Sequence, residues 1–422
     1  MSTPDWLLPP ILAAAGGALC AQYLTVHPLQ MGRALTAVLV TGFAWLTLTG
    51  SFRGPSLPAA LGLSALAALA GYAGMAHIIL SRTDDRPLPS LQRQPGDPGL
   101  GHIAVIYFAH GEPETYDPIG WINQFREFDR LGTPFVPFLA RPFFLSALRR
   151  KYLEVGKSGH RWMHQRMLAS LEQSFRTRGD EQTRFYICFL DDSPRPDAAV
   201  IQALNEGASA IIVAEVFVTN SNHTAEGKEL IDALHVERLG VALAFTRPLW
   251  DSPTLHRMFV RRVNANLKGT PKEQVGVLLV GHGQPAEWDE LWPTETAHET
   301  SFRLEILKLF EQDGYDRRNL GLAWMEFRPP RPAAKAEELV RNGATRIFYF
   351  PAAISADAIH SQHDVPALLS QARLPDGVSM VNLGAWNDDP LAIQAIAERV
   401  IQQIALLRPQ RPPAPSTGPA RG

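Results

Sequence analysis

Residues 277–285 read "VLLVGHGQP", an apolar, strand-forming run that ends in a histidine held between two glycines, and a near-copy, "IYFAHGEP", occupies 106–113. A short aliphatic run bounded by glycine reads as a strand buried on both faces, the habit of parallel sheets. Two copies predict that one architecture is built twice. Working outward, "IAVIYFA", "RFYICFL", "AIIVAEVFV", "VALAFT", "VGVLLVG", "LGLAWMEF", "RIFYFPAAI" and "VSMVNLG" predict strands, separated by helices such as 160–176, 197–206, 297–312, 333–342 and 390–405. Strand–helix alternation implies α/β architecture with parallel sheets and helices on both faces. Ligands of such sheets bind beyond the carboxyl ends of the strands, where His110 and His282 fall.

A second pair of segments fixes the repeat. "SPRPDAAVIQALNEGASAIIVAEVFV" at 193–218 matches "PPRPAAKAEELVRNGATRIFYFPAAI" at 329–354, with a Pro-Arg-Pro entry, a helix, then glycine and a strand. This is an internal duplication. It divides the chain into an amino-terminal α/β half at 102–268 and a carboxyl-terminal half at 269–407, the first being longer around "REFDRLGTPFVPFLARPFFLSALRRKYLEVG".

The region before the repeat has a different composition. No Asp, Glu, Lys or Arg lies between Asp5 and Arg33, between Arg33 and Arg53, or between Arg53 and Arg82. A helix of roughly 20 apolar residues crosses a bilayer, so residues 1–82 are expected to form a transmembrane anchor, with three spans favoured over two. Arg33, Arg82, Arg86 and Arg93 would then share the side of the large domain, with Arg53 opposite. The positive-inside rule places that domain in the cytoplasm and the anchor in the inner membrane. Residues 83–101 read as a linker and 408–422 as a disordered tail.

Bulk charge is near balance, with 40 basic and 42 acidic side chains in 422 residues, which gives nucleic acid no electrostatic footprint. Cys20 and Cys188 are too few and too far apart for a disulfide framework or a thiolate zinc site. No phosphate loop is present, so no nucleotide is expected.

Ligand-type residues recur past predicted strand ends in the carboxyl half. His282 follows the first strand, Glu326 ends the second, and His360 and His363 follow the third in "ISADAIHSQHDVP". Two imidazoles and a carboxylate suit a divalent transition metal with positions left open for substrate, so His282, Glu326 and His360 are the expected metal-binding and catalytic set. The amino-terminal half offers His110, Asp191 or Asp192, and His223 as a possible second site. Its carboxylates lie beside the slot that Glu326 fills, and the register slips by one at His223. Thr296 and Glu299 read as a helix capping box.

At 102–405 the layout resembles the ATP-independent tetrapyrrole chelatases, the group of ferrochelatase and sirohydrochlorin cobaltochelatase. "VGHGQP" is similar to the His-Gly-Leu-Pro segment of ferrochelatases, which implies a metal-binding, proton-accepting role for His282. In "SADAIHSQHDVP", His360 stands at the ferrochelatase glutamate position. His360 with Asp364-Val365-Pro366 resembles instead the cobaltochelatase pattern, and that group carries a glutamate where Glu326 stands. The resemblance implies two similar halves facing a cleft, Fe2+ or Co2+ as substrate, and a tetrapyrrole as partner. The expected function is metal insertion at the membrane surface; the alternative is a non-catalytic tetrapyrrole or metal carrier. Arg149, Arg150, Lys151 and Lys157, interleaved with Phe143, Phe144 and Tyr152, are candidate contacts for the substrate's propionates and ring faces.

Overall fold

The computed structural model describes residues 7–51, 56–84, 86–133 and 135–407; Arg53 and the expected tail at 408–422 lie outside them. Eight strands form where the apolar runs predict them: β1 His102–Ala109, β2 Arg184–Phe189, β3 Ala208–Glu215, β4 Ala242–Phe245, β5 Val275–Gly281, β6 Leu320–Trp324, β7 Arg346–Pro351 and β8 Ser379–Asn382. They make two parallel four-stranded sheets with the same permuted order, β2-β1-β3-β4 and β6-β5-β7-β8. The duplication read from sequence is therefore a duplication of topology.

Alternation along the central strands explains how the sheets are joined. Val105, Tyr107 and Ala109 of β1, with Val275, Val277 and Leu279 of β5, point into one shared core, while Ala104, Ile106 and Phe108, or Leu278 and Val280, point to separate outer cores. Between the sheets lie α6 (His160–Thr177), α9 (Pro253–Asn264), α10 (Pro293–Gln312) and the final helix α13 (Pro390–Leu407), whose buried faces all enter the shared core. On the outer faces lie α7 (Pro196–Asn205) and α8 (Asn222–Asp232) in the first half, and α11 (Pro332–Arg341) and α12 (Val365–Leu369) in the second. One expected start is corrected: α10 begins at Pro293, so Thr296 and Glu299 lie inside its first turns and form no capping box.

Ahead of the sheets stand α1 (Leu8–Thr25), α2 (Met31–Thr49) and α3 (Ser56–Leu80). Three helices here, Leu8–Thr25, Pro28–Thr49 and Leu57–Leu80, are long and apolar enough to cross a membrane. Helices α1 and α3 cross where Gly17 and Gly71 leave no room for a side chain: a Cβ on either would stand 1.9 Å from a carbonyl oxygen of the facing helix. These helices also pack against the first half. Ile79 and Leu80 of α3 pack with Ile122, Phe125 and Leu145 from the first half's two extra helices, α4 (Ile119–Arg130) and α5 (Arg141–Val155). The segment after α3 has no regular structure yet is stapled to the first sheet: Arg86 donates to the carbonyls of Leu190 and Asp192, and the buried Arg93 to that of Ala208.

Candidate functional site

The two histidine turns answer the question their sequence poses. Gly111 and Gly283 follow the histidines with φ of +89° and +86°, a left-handed conformation that favours glycine. Space forbids a side chain as well: a Cβ on Gly111 would lie 2.6 Å from Phe189 Cβ, and one on Gly283 2.6 Å from the Glu326 carbonyl oxygen. The turn then fixes the ring. His110 Nδ1 donates to the Gly111 carbonyl at 2.8 Å and His282 Nδ1 to the Gly283 carbonyl at 2.7 Å. A carbonyl only accepts, so Nδ1 carries a proton, and Nε2 is the nitrogen left to exchange a proton or bind a metal. Behind His282, Glu299 accepts its backbone N–H at 2.8 Å.

The neighbouring strand brings the carboxylate. Past β6, the N–H groups of Met325 and Glu326 donate to the carbonyls of Gly281 and His282; past β2, those of Leu190 and Asp191 donate to Ala109 and His110. Asp191 thus occupies the same backbone position as Glu326, and the expected offset is corrected. The turn returning to Pro330 has one residue more than the turn returning to Pro194, which shifts any alignment made on the prolines. Their environments differ. Asp191 Oδ2 lies 3.6 Å from His110 Nε2, and burial, with the carboxylates of Asp84 and Asp192 nearby, pushes its pKa up against the pull of His110 and Arg86. The Glu326 carboxylate has no hydrogen bond or ion pair among the described residues, since Arg328 turns to Asp289. Asp192, the alternative at this position, is buried in a salt bridge with Arg161.

The third position comes from the segments after β7 and β3. His360 opens a π-helical turn, His360–Asp364, a distortion that recurs at functional sites. Its ring centroid lies 5.6 Å from that of His282, edge to face. Nδ1 of His360 is held by Asp364 at 2.7 Å, and Lys151 from α5 holds the same carboxylate at 2.8 Å. That leaves His360 Nε2 as its outward group, in the carboxylate–histidine arrangement that raises ligand basicity. Burial drives the His360 pKa down, but the hydrogen bond and charge of Asp364, helped by Glu326 and Glu112, outweigh it and raise the value. Asp364 in turn is held well below the usual carboxylate range, despite burial, by His360 and Lys151. His363 is no ligand in this arrangement, because Asp364 and Glu154 engage both its nitrogens.

In the first half His223, in the first turn of α8, packs edge-on against His110 with ring centroids 4.3 Å apart. Burial, then the charges of His110 and His282, push its pKa well below the ordinary histidine value. A direct link joins the first histidine turn to the segment after β7. Glu112, from "HGEP", makes it by accepting the backbone N–H of Ile359 at 2.9 Å.

Several side chains that the sequence left idle or misassigned find their place here. Glu112 and Glu299 serve the site, and only the carboxylate directly after His110-Gly111 could have marked Glu112. The proposed propionate cluster is dispersed: Lys151 pairs with Asp364, Lys157 with Glu114, Phe144 packs on Trp121, Tyr152 is buried, and Arg149 turns to the end of α1. His298 stacks on Trp250 at 4.3 Å. Among the described residues no group of three or more His, Cys, Asp or Glu side chains stands close enough together to hold a metal ion. Of the expected residues, His282 stands edge to face with His360 in the second half, and His110 lies against both Asp191 and His223 in the first.

A family model described as Ferrochelatase matches residues 102–404. No curated protein sequence matches the chain. Among solved structures, SirB from Bacillus subtilis with Fe3+ is 15% identical, with 72% of this chain and 96% of that one covered and a TM-score of 0.45. DR2241 from Deinococcus radiodurans, a multi-domain protein with structural similarity to chelatases, is 14% identical over 71% of this chain and 54% of its own, with a TM-score of 0.43. CbiX, the terminal enzyme for siroheme biosynthesis in denitrifying bacteria, is 14% identical over 71% and 98%, with a TM-score of 0.37.

Proposed function

Given that the chain belongs to the ferrochelatase family, whose members insert a metal ion into a tetrapyrrole, we propose that it places Fe2+ or Co2+ into a free-base macrocycle at the cytoplasmic face of the inner membrane, with His282, Glu326 and His360 doing the work. The observation that carries this reading is the pairing of His282 and His360: each Nδ1 is committed to an acceptor, so Nε2 is the outward nitrogen on each of two rings 5.6 Å apart.

Insertion has a simple balance. The macrocycle gives up two N–H protons as the cation sheds water and binds four ring nitrogens. His282 accepts a proton on Nε2. Glu326 and His360 hold the incoming cation, and Asp364 with Lys151 keeps the His360 ring in the tautomer that can bind it. An open set of donors is suited to a cation that must leave again, whereas a closed four-ligand cage would retain it. No nucleotide enters this scheme. In the other half His110, with Asp191 beside it, is the candidate acceptor for the second proton, whereas the depressed pKa of the buried His223 makes it a poor one.

The test is turnover. Purified full-length chain with Fe2+ or Co2+ and a free-base porphyrin should generate a metalloporphyrin absorption spectrum over many equivalents, and His282→Ala should abolish it. Stoichiometric binding without metalation would instead identify a carrier.

A further inference from the structure

Away from the half-sites, where the membrane helices meet α5, lies a cleft of about 390 Å³. Tyr23 and Leu24 of α1 and Met31 of α2 form one wall; Phe143, Arg149 and Arg150 of α5 form the other. Arg149 is only 2% exposed. Its Nη1 closes the end of α1 by donating to the carbonyls of Tyr23 at 2.7 Å and Val26 at 2.9 Å. Its buried Nε has no partner. Arg150, next in the chain and exposed, makes no hydrogen bond or ion pair among the described residues, and no carboxylate lines the cleft. Two adjacent guanidiniums without an acid repel each other, and an anion between them would satisfy both the repulsion and the orphan Nε.

The walls say which anion. The cleft sits at the ends of α1 and α2 nearest the large domain, and above it α2 exposes Leu39, Val40, Phe43 and Leu46 along its length. In the loop between the two helices Leu29 is 88% exposed, and Phe143 at the cleft itself is 58% exposed. Apolar helix surface running on from a cleft that holds two arginines matches a molecule with hydrocarbon tails and a charged head. We propose that this cleft binds the phosphodiester headgroup of an anionic phospholipid, with its acyl chains lying along α1 and α2. The inference rests on the reading of the three helices as membrane-spanning and is independent of the metalation chemistry. Because Arg149 also ties α1 to α5, a bound lipid would complete the joint between anchor and domain.

The experiment uses the full chain purified in detergent and exposed to equal amounts of phosphatidylglycerol and phosphatidylcholine with the same acyl chains, with bound lipid read by native mass spectrometry. Wild type should retain phosphatidylglycerol in preference. Arg150→Gln should weaken that retention about fivefold, the share of one basic residue near an anionic surface. Equal retention of the two lipids, or unchanged retention by Arg150→Gln, would overturn the proposal, as would displacement of the lipid by excess inorganic phosphate, which would mark a free-anion site. Arg149→Gln can fail to fold because its strut is lost, so Arg150→Gln is the deciding variant. An alkaline wash of membranes tests the anchor separately: release of the chain sinks the spanning reading, whereas a chain that resists the wash but shows no lipid preference sinks the lipid site alone.

Discussion

The two half-sites share a backbone and differ in what their side chains are left free to do. In the first, Asp191 stands against His110, and His223 has no carboxylate behind it. In the second, Glu326 is unpaired and His360 is backed by Asp364 and Lys151. Duplication preserved the turn geometry and let the chemistry diverge. A histidine at the end of a strand becomes a candidate catalyst through its neighbours, and the carboxyl half has the better set.

Unequal mutants would test that difference most strongly. Substituting His282 by Ala should lower the metalation rate by about 10²–10⁴, the usual worth of a positioned proton acceptor, while His110→Ala should cost well under about 10²; equal losses would mean the halves act as one. Next in size, Asp364→Asn leaves His360 without its orienting anion and should weaken cation binding about 10–100-fold in a titration, whereas Asp191→Asn should change it little.

The scaffold itself should respond equally on both sides. Gly111→Ala and Gly283→Ala each force a side chain into a left-handed, filled position, and each should destabilise the chain by more than about 1 kcal/mol in denaturant titration. A large inequality would show that one turn is held less tightly than the coordinates indicate.

The smallest effect is in the pH dependence, where the halves should have opposite signs. His164 is fully buried between Tyr107 and Ser355, and burial followed by the charge of His110 lowers its pKa to about 3. The unfolded chain, with an ordinary value near 6.5, takes up this proton first as pH falls, so stability is lost from about pH 6.5 downward at no more than about 1.4 kcal/mol per pH unit. His360 has a raised value, so its contribution is present below the ordinary pKa and is lost as pH rises through the raised one. Melting temperatures should therefore fall less steeply toward acid in His164→Gln and more steeply in His360→Gln than in wild type.

What the sequence made legible follows from what each feature depends on. The eight strands could be read because parallel strands covered on both faces must be continuously apolar, and the approach of His282 to His360 because strand ends in such sheets converge. The equivalence of Asp191 and Glu326 was hidden by a single extra residue in one turn. Glu299 looked like a cap because local spacing was all that could be read, yet its carboxylate closes on the His282 backbone 17 positions away. Lys151 and Arg149 sit two apart on one helix and serve different partners, Lys151 the Asp364 carboxylate and Arg149 the end of α1, a division that only tertiary placement reveals.

The seam between the sheets has a further consequence. Helix α13, at the end of the chain, packs among residues of both sheets, and Phe259 of the first half meets Phe302 and Phe350 of the second. Cutting near residue 268 would strip water-excluding contacts from both fragments at once, so neither piece should survive alone as a minimal catalyst. The ancestral doubling has become irreversible: what began as two copies is now one indivisible body.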